Sequence, residues 1–347
     1  MDRNRLYIGQ RFFLKRYLRG KDRLGHLRVT PSNEIKTLRF WSHLLRMEAM
    51  QTCSSIIFTR HRERVRRIEA MHPKEKVLLH LDPDRPDSLS LDPLFHSDET
   101  TAQWLVDFFF GSEDLGESAL SASMLLKGFL QLAVNDPGKR TSLPDLYRLA
   151  GLGAGTLKAR LRFQGRPGHL ALLKQLNSLS ENDRIAALRE IHHRLSLFRK
   201  PRFAKLFSSP TVYAPIYAHE PSVLIVSVPE KYPESDRIMG LALLSIVHQI
   251  LGFANPRPTV PLYLHLDGLD PLPSSLMRAL KARLIGVTYL SRQDEGDEAC
   301  ETHIRIAEGL SRLTRRGKEG LRFHPALDGP FCSLNGPYLE GGENGPD

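Results

Sequence analysis

The chain has 347 residues, of which 41% are hydrophobic and 25% charged, a balance that is ordinary for a globular protein. No apolar run reaches the roughly 20 residues that a membrane-spanning helix needs, and the charged residues 1–5 have no apolar stretch behind them. A membrane span and a secretory signal are therefore not expected. Cys53, Cys300 and Cys332 are scattered and form neither a disulfide framework nor a CxxC metal half-site. This cysteine usage predicts a reducing, cytoplasmic location.

The formal net charge is +10, and basic residues crowd the N-terminal part of the chain. Arginine suits phosphate oxygens because its planar guanidinium presents a fork of donors, so this clustering predicts contact with nucleic acid. The alternative is a solvated basic face. The predicted nucleic-acid contacts are Arg11, Lys15, Arg16, Arg19, Arg60, Arg62, Arg64, Arg66 and Arg67. A smaller basic group follows late in the chain, at Arg312, Arg315, Arg316 and Lys318.

Strands and helices alternate in the first part of the chain. Short apolar or β-branched runs predict strands at 26–30, 54–59 and 76–81. Apolar residues at helical spacing predict a helix that includes Leu38 to Ala49, and a basic helix is predicted from about 61 to 72. Residues 1–96 are therefore interpreted as the first part of an α/β core.

Strand signals disappear from 97 to 207, where helical periodicity predicts an all-helical subdomain. Ser142 is a predicted helix cap with Pro144 in the first turn, and 162–168 is a Gly/Pro break between helices. The basic stretch 199–205 is interpreted as a solvated linker.

Apolar strands return at 222–228, 261–267 and 284–290, separated by helices at 236–253 and 274–283. Continuous apolar strands that alternate with helices are typical of a parallel sheet covered on both faces. Residues 208–325 are therefore interpreted as the second part of the core. The Gly-, Pro- and Asn-rich segment 326–347 is predicted to be a flexible tail.

The order of these segments resembles a known family. Residues 22–38, DRLGHLRVTPSNEIKTL, are similar to the phosphate-loop line of the HerA-like ATPases, which include the TraG/TraD coupling proteins of conjugation and, more distantly, FtsK. Residues 79–94 resemble the family's strand and Asp-Pro turn, and 262–273 resemble its Walker B line. The resemblance covers most of residues 5–325. It implies an α/β fold, a RecA-like P-loop NTPase core with a mostly parallel sheet, plus an all-helical insertion. For the basic stretch 199–205 it adds an alternative to a linker, an arginine finger toward the neighbouring subunit of a ring ATPase.

The phosphate loop departs from the family pattern G-x-x-x-x-G-K-[ST]. The two glycine positions are Thr30 and Ile35, and only Lys36 and Thr37 remain as a degenerate nucleotide-binding pair. A β-branched residue tolerates positive φ poorly, so the usual phosphate cradle is not expected. The alternative is that Lys36 and Thr37 simply form the first turn of a helix.

The other motifs also lack residues that the family uses for ATP hydrolysis. Asp267 occupies the position of the magnesium-binding carboxylate, but the position of the catalytic Glu is Gly268, which cannot activate water. The position of the polar sensor is Tyr289, and the second strand is followed by Thr59-Arg-His-Arg-Glu63 where the family has DPHGD. No catalytic residue is assigned.

These features predict a catalytically degenerate ATPase-fold protein, a pseudo-ATPase. It would bind nucleic acid or act as a scaffolding subunit, in a homo- or hetero-oligomer, within a DNA-handling machine of mobile-element transfer or defence. The alternative is an active DNA-dependent ATPase or translocase with an unorthodox P-loop. No cofactor is expected, although ATP and Mg²⁺ remain possible if the degenerate site binds them. No metal site is predicted, because Asp82, Asp84 and Asp87 lie on a Pro-rich loop where aspartates serve turns.

Overall fold

The computed structural model describes residues 6–11, 14–18, 26–31, 34–74, 76–95, 99–111, 116–135, 141–165, 167–252, 259–269, 272–290, 302–306, 311–315 and 318–325. Side chains are described for residues 26–29 and, with short gaps, from 37 to 290. The predicted tail 326–347, Arg19, Arg316, Cys300 and Cys332 lie outside the described residues.

Eleven strands and eleven α-helices are described within these ranges. The strands are β1 (Leu6–Arg11), β2 (Leu14–Leu18), β3 (Leu27–Pro31), β4 (Ser54–Thr59), β5 (Val77–Leu81), β6 (Ser222–Ser227), β7 (Leu262–Asp267), β8 (Ile285–Leu290), β9 (Thr302–Ile306), β10 (Ser311–Arg315) and β11 (Lys318–Pro325). The helices are α1 (Glu34–Ala49), α2 (Arg62–Met71), α3 (Glu99–Phe110), α4 (Glu117–Asn135), α5 (Leu143–Ala150), α6 (Ala154–Gln164), α7 (Pro167–Ser178), α8 (Glu181–Arg194), α9 (Pro201–Leu206), α10 (Ser235–Gly252) and α11 (Ser274–Ala282).

The strands form one sheet in the order β2-β1-β11-β10-β9-β3-β8-β7-β4-β6-β5. The pairs β9–β3, β3–β8, β8–β7, β7–β4 and β4–β6 are parallel. The pairs β9–β10, β10–β11, β11–β1 and β1–β2 are antiparallel. The six strands predicted from the sequence are all present, and the structure adds β1, β2 and β9–β11, which the sequence analysis does not predict.

The central strands are buried along their whole length, as their apolar runs predict. Every residue of β4, β6, β7 and β8 is buried. Phe40, Trp41, Leu44 and Leu45 of α1 pack in one cluster with side chains of β3, β4 and β6. Burial of large apolar side chains is the main stabilising contribution here, at about 25 cal/mol per Å² removed from water.

The chain divides into two compact units. The first comprises residues 1–80, 215–235 and 253–347, and contains the sheet with α1, α2 and α11. The second comprises residues 81–214 and 236–252, and its described elements are helices. In this helical unit α4 packs against α3, α7 and α8. The predicted cap of α5 is confirmed, because Ser142 and Asp145 form a capping box with Pro144 in the first turn.

Within the part of the chain that the structure describes, no helix is both long enough and apolar enough to cross a membrane.

Candidate functional site

Three polar side chains end neighbouring parallel strands at the same edge of the sheet. Thr59 is the last residue of β4, Ser227 of β6 and Asp267 of β7, and all three are buried. Thr59 pairs with Ser227, and Phe58 pairs with Leu266. Because the carboxyl ends of parallel strands meet at one edge, and partners in register point to the same face, these residues share one site. This is the edge where open α/β sheets bind ligands.

Both carboxylate oxygens of Asp267 are engaged. Thr59 donates a hydrogen bond from Oγ1 to Oδ2 at 2.6 Å. Arg64, in the first turns of α2, forms an ion pair through Nη1 with Oδ1. The side chains of Arg64 and Asp267 are only 10% and 2% exposed, so the pair is shielded from solvent. A guanidinium therefore neutralises Asp267 at the point where the family resemblance implies a divalent cation.

Ser227 adds a buried hydroxyl to the same edge. Its Oγ is buried and has no hydrogen-bond partner among the residues that the structure describes. A buried polar atom without a partner is costly, because it loses hydration without a replacement bond. The hydroxyl of Ser227 is therefore a further hydrogen-bonding group at this edge, in addition to the two groups that contact Asp267.

Gly268 directly follows Asp267 and has a backbone conformation that favours glycine. Its φ is +66°, and a Cβ built there would meet no atom within 4 Å. The left-handed conformation, not a lack of space, disfavours a side chain at this position. Gly268 has no group that can accept a proton or orient water.

Tyr289 is used as a core residue. Its hydroxyl accepts a hydrogen bond from the backbone N–H of Leu272 at 2.8 Å and lies 3.1 Å from the sulfur of Met277. In the β7–β8 pair Leu290 is the partner of Asp267, and Tyr289 is the partner of Leu266. Since side chains alternate between faces along a strand, Tyr289 points to the face opposite that of Asp267.

The predicted phosphate-loop position lies between β3 and α1. β3 ends at Pro31 and α1 begins at Glu34, so Lys36 and Thr37 fall in the first turn of the helix. The side chain of Thr37 is 2% exposed. The side chains of Thr30, Ile35 and Lys36 are outside those described.

The structure separates the predicted nucleic-acid contacts. Arg62 and Arg66 are exposed on α2, Arg60 is half-buried, and Arg67 pairs with Glu63 at 2.5 Å. Arg64, by contrast, is turned inward to Asp267. Arg11, Lys15 and Arg16 lie on β1 and β2, but their side chains are outside those described.

A second buried polar cluster lies beneath α1, and sequence reasoning does not find it. His265 of β7 contacts Glu48 of α1 at 2.7 Å, and Ser55 of β4 donates to the same carboxylate at 3.1 Å. His265 and Glu48 are 0% and 1% exposed. The available signal is a histidine inside an otherwise apolar strand, which requires a partner.

The aspartates 82, 84 and 87 act in a turn. The amide of Asp84 donates to Oδ1 of Asp82 at 2.9 Å, and Arg85 pairs with Asp87. Among the described residues, no group of three His, Cys, Asp or Glu side chains is arranged to hold a metal ion.

Comparisons with known proteins identify the fold. The plasmid coupling protein TrwB, solved with ADP and Mg²⁺, matches with a TM-score of 0.62 and 12% identity over 89% of this chain and 79% of that chain. VirB4 of Thermoanaerobacter pseudethanolicus matches with a TM-score of 0.53 and 12% identity over 94% of this chain and 97% of that chain. The chain has the RecA-like P-loop NTPase fold. No protein-family model and no curated protein sequence matches it.

The predicted resemblance to the conjugative coupling proteins is thus confirmed for the fold. TrwB has also been solved with sulphate, in a structure that gives a TM-score of 0.61 at 12% identity, covering 89% of this chain and 80% of that chain. The nucleotide and sulphate are ligands of TrwB. For the present chain, the site rests on the contacts of Asp267, Thr59, Arg64 and Ser227.

Proposed function

We propose that this protein is a non-hydrolysing subunit of a DNA-handling machine, which keeps the P-loop ATPase fold as a scaffold and binds nucleic acid. The observation that carries the proposal is the buried contact of Asp267 with Arg64 and Thr59. The similarity to TrwB, a coupling protein, and to VirB4 supports a setting in DNA transfer. Protein partners or a second copy of the chain belong to this proposal.

The contacts of Asp267 argue against a magnesium site. In P-loop NTPases a carboxylate at this position helps to hold Mg²⁺, whose charge offsets that of the phosphates. Here Arg64 already supplies a positive charge, and Thr59 uses the second oxygen. Binding of Mg²⁺ through Asp267 would require the ion pair to break and leave a guanidinium buried beside the cation. The residues present therefore do not fit Mg-ATP as a resident cofactor.

The positions around Asp267 support the same proposal. Gly268 offers no carboxylate to orient the attacking water, and its backbone conformation disfavours any replacement that would. Tyr289 is held in the core by Leu272 and Met277. Each loss removes a different requirement for hydrolysis.

The decisive experiment compares the unaltered protein with Lys36→Ala. ATP binding is measured by calorimetry, and hydrolysis is measured with Mg²⁺, in the presence and absence of DNA. We expect the same background hydrolysis from both proteins. Hydrolysis that Lys36→Ala abolishes would establish the alternative, an active DNA-dependent ATPase. Tight binding without turnover would make ATP a structural ligand and would contradict the proposed absence of a cofactor.

The salt dependence of oligonucleotide binding tests the nucleic-acid part of the proposal. If the exposed arginines of α2 contact phosphates, affinity for an oligonucleotide falls steeply as salt rises, with a log–log slope of about −0.7 to −0.9 per contact. Arg62→Gln/Arg66→Gln should weaken binding and flatten this slope. Lys127→Gln/Lys174→Gln removes the same charge from another part of the protein and is the control. Absent or salt-insensitive binding would contradict the proposed nucleic-acid binding and leave the rest of the proposal unchanged.

A further inference from the structure

The helical unit contains a strongly basic segment. Residues 148–205 include thirteen Lys and Arg against three Asp and Glu. The segment runs through α6, α7, α8 and α9. The nucleic-acid contacts predicted from the sequence all lie outside this segment, whose basic end, 199–205, is predicted to be a linker. The structure shows that several of its basic side chains converge.

Residues of α5, α6 and α8, and of the short 3₁₀ turn Ser196–Arg199 after α8, enclose a cavity of about 540 Å³. Arg189, His192 and His193 of α8 line it, together with Arg199 of the turn. No Asp or Glu is among the lining residues. A concave surface with one sign of charge concentrates ligands of the opposite charge, so the cavity favours an anion.

The arginines of this cavity are not used internally. Arg189 and Arg199 are exposed, and neither forms an ion pair with any residue that the structure describes. Other arginines of the unit do pair: Arg194 contacts Glu190 at 2.7 Å, and Arg202 contacts Asp84 at 3.3 Å. Two guanidinium groups on one cavity, with no ion-pair partner in the described part of the chain, can bind phosphate oxygens in a bidentate manner.

One wall of the cavity is a fixed aromatic pair. The rings of Tyr147 and His192 stack with centroids 4.2 Å apart and an angle of 18°. The ring Nδ1 of His192 also lies 3.2 Å from the carbonyl oxygen of Tyr147. Gly151 makes room for this pair, because a Cβ there would lie 2.9 Å from Cε1 of His192. The wall therefore presents ordered rings beside the unpaired arginines.

Helix α5 also borders a second cavity. This cavity of about 280 Å³ is lined by Arg148, Arg160 and His169, and by Asp145, which pairs with Arg148 at 2.9 Å. Tyr147 of α5 lines the first cavity and Arg148 the second, so both cavities lie against this helix. On α6, Arg160 and Arg162 are exposed, and the ring of Phe163 is 93% exposed.

We infer that this surface, the α5–α6–α8 strip, binds single-stranded nucleic acid, with phosphates on Arg189 and Arg199 and a base on Phe163. A small anion would use one cavity, whereas exposed arginines lie at both, Arg189 and Arg199 at the first and Arg160 at the second. An acidic peptide would not explain the exposed phenyl ring of Phe163, which lies on the same helix as the exposed Arg160 and Arg162. Proteins that bind single strands combine a basic groove with aromatic rings on which bases stack. The inference deepens the proposed nucleic-acid binding by naming its surface.

The test uses the full-length protein and a fluorescent oligothymidine of about 20 nucleotides, followed by anisotropy over a salt series. Arg189→Gln/Arg199→Gln should lower affinity about tenfold at low salt and reduce the log–log salt slope by about 1.4, since each lost phosphate contact accounts for about 0.7. Phe163→Ala should lower affinity about fivefold through lost stacking, with the slope unchanged. Because all three side chains are exposed, circular dichroism should show unaltered folding.

Lys127→Gln/Lys174→Gln, which alters the same unit outside both cavities, should bind as the unaltered protein does. If the control and the cavity variant lost affinity for the oligonucleotide equally, the loss would depend only on the total charge of the protein, and the inference would be overturned. Preferential binding to phosphatidylserine vesicles would overturn it as well. If only Arg62→Gln/Arg66→Gln weakens binding, this inference fails while the proposed nucleic-acid binding stands. If the unaltered protein does not bind, both fail.

Discussion

Asp267 and Arg64 are 203 residues apart in the chain, yet they form the buried ion pair at the centre of the site. Removing one partner leaves the other charged and buried, which typically costs about 3–5 kcal/mol. We expect Arg64→Leu to lower the free energy of unfolding by about this amount. Arg66→Leu, on the exposed face of the same helix, should change it by less than about 0.5 kcal/mol. Urea unfolding measures both.

The double variant Arg64→Leu/Asp267→Asn separates the ion pair from simple loss of packing. It removes both charges, so it should cost clearly less than the sum of the two single variants. Strict additivity would mean that the two side chains do not interact, and would remove the main support for the proposed absence of a magnesium site.

Gly268 allows a second test of the proposed lack of ATP hydrolysis. Because its φ is +66° and the space around it is open, Gly268→Ala and Gly268→Glu should each lower the free energy of unfolding by about 1 kcal/mol, for the same backbone reason. Gly268→Glu should not produce ATP hydrolysis, since Arg64 still holds Asp267. Measured turnover in this variant, absent from Gly268→Ala, would contradict the account of the site.

Among the secondary-structure elements, α1 contacts the sheet through a buried polar cluster within an otherwise apolar interface. Glu48 accepts from Ser55 of β4 and contacts His265 of β7, so one carboxylate joins a helix to two strands. Glu48→Ala should therefore lower the free energy of unfolding by about 3 kcal/mol or more, because two buried partners lose their acceptor. Glu63→Ala, at an exposed position on α2, is the control. Near-equal losses in the two variants would exclude a structural role for this contact.

The elements that the sequence predicts well are those with strong local patterns. The apolar run 222–228 becomes β6 and the apolar segment after it becomes α10, each within two residues of the predicted bounds. Strands such as β10, Ser-Arg-Leu-Thr-Arg, contain two arginines and no apolar run, so no local pattern predicts them. Their pairing depends on neighbours far along the chain, which a single sequence does not reveal.

In the candidate site too, local sequence patterns predict some features, whereas others depend on contacts between distant parts of the chain. Motif order predicts Asp267, Gly268 and Tyr289 as site positions, and the structure places Asp267 at the end of β7 with Gly268 directly after it. It does not reveal that Arg64 serves Asp267, because that contact depends on β4 and β7 being neighbours. In the sequence Arg64 belongs to a run of arginines and is interpreted with them as a nucleic-acid contact, whereas burial distinguishes it from Arg62 and Arg66.

At the scale of the whole molecule, a ligand that binds only the folded protein raises its thermal unfolding midpoint. A ligand present at about 100 times its Kd raises the free energy of unfolding by about 2.7 kcal/mol, which shifts the midpoint of a protein of this size by several degrees. We expect Mg-ATP at millimolar concentration to leave the midpoint unchanged, because Arg64 and Thr59 already engage the carboxylate that would hold the metal. Single-stranded oligonucleotide should raise the midpoint at low salt and lose this effect at high salt. Differential scanning calorimetry compares the two ligands in one protein. A shift with Mg-ATP that Lys36→Ala removes would show that the protein binds nucleotide through Lys36, and would contradict the proposed absence of this cofactor.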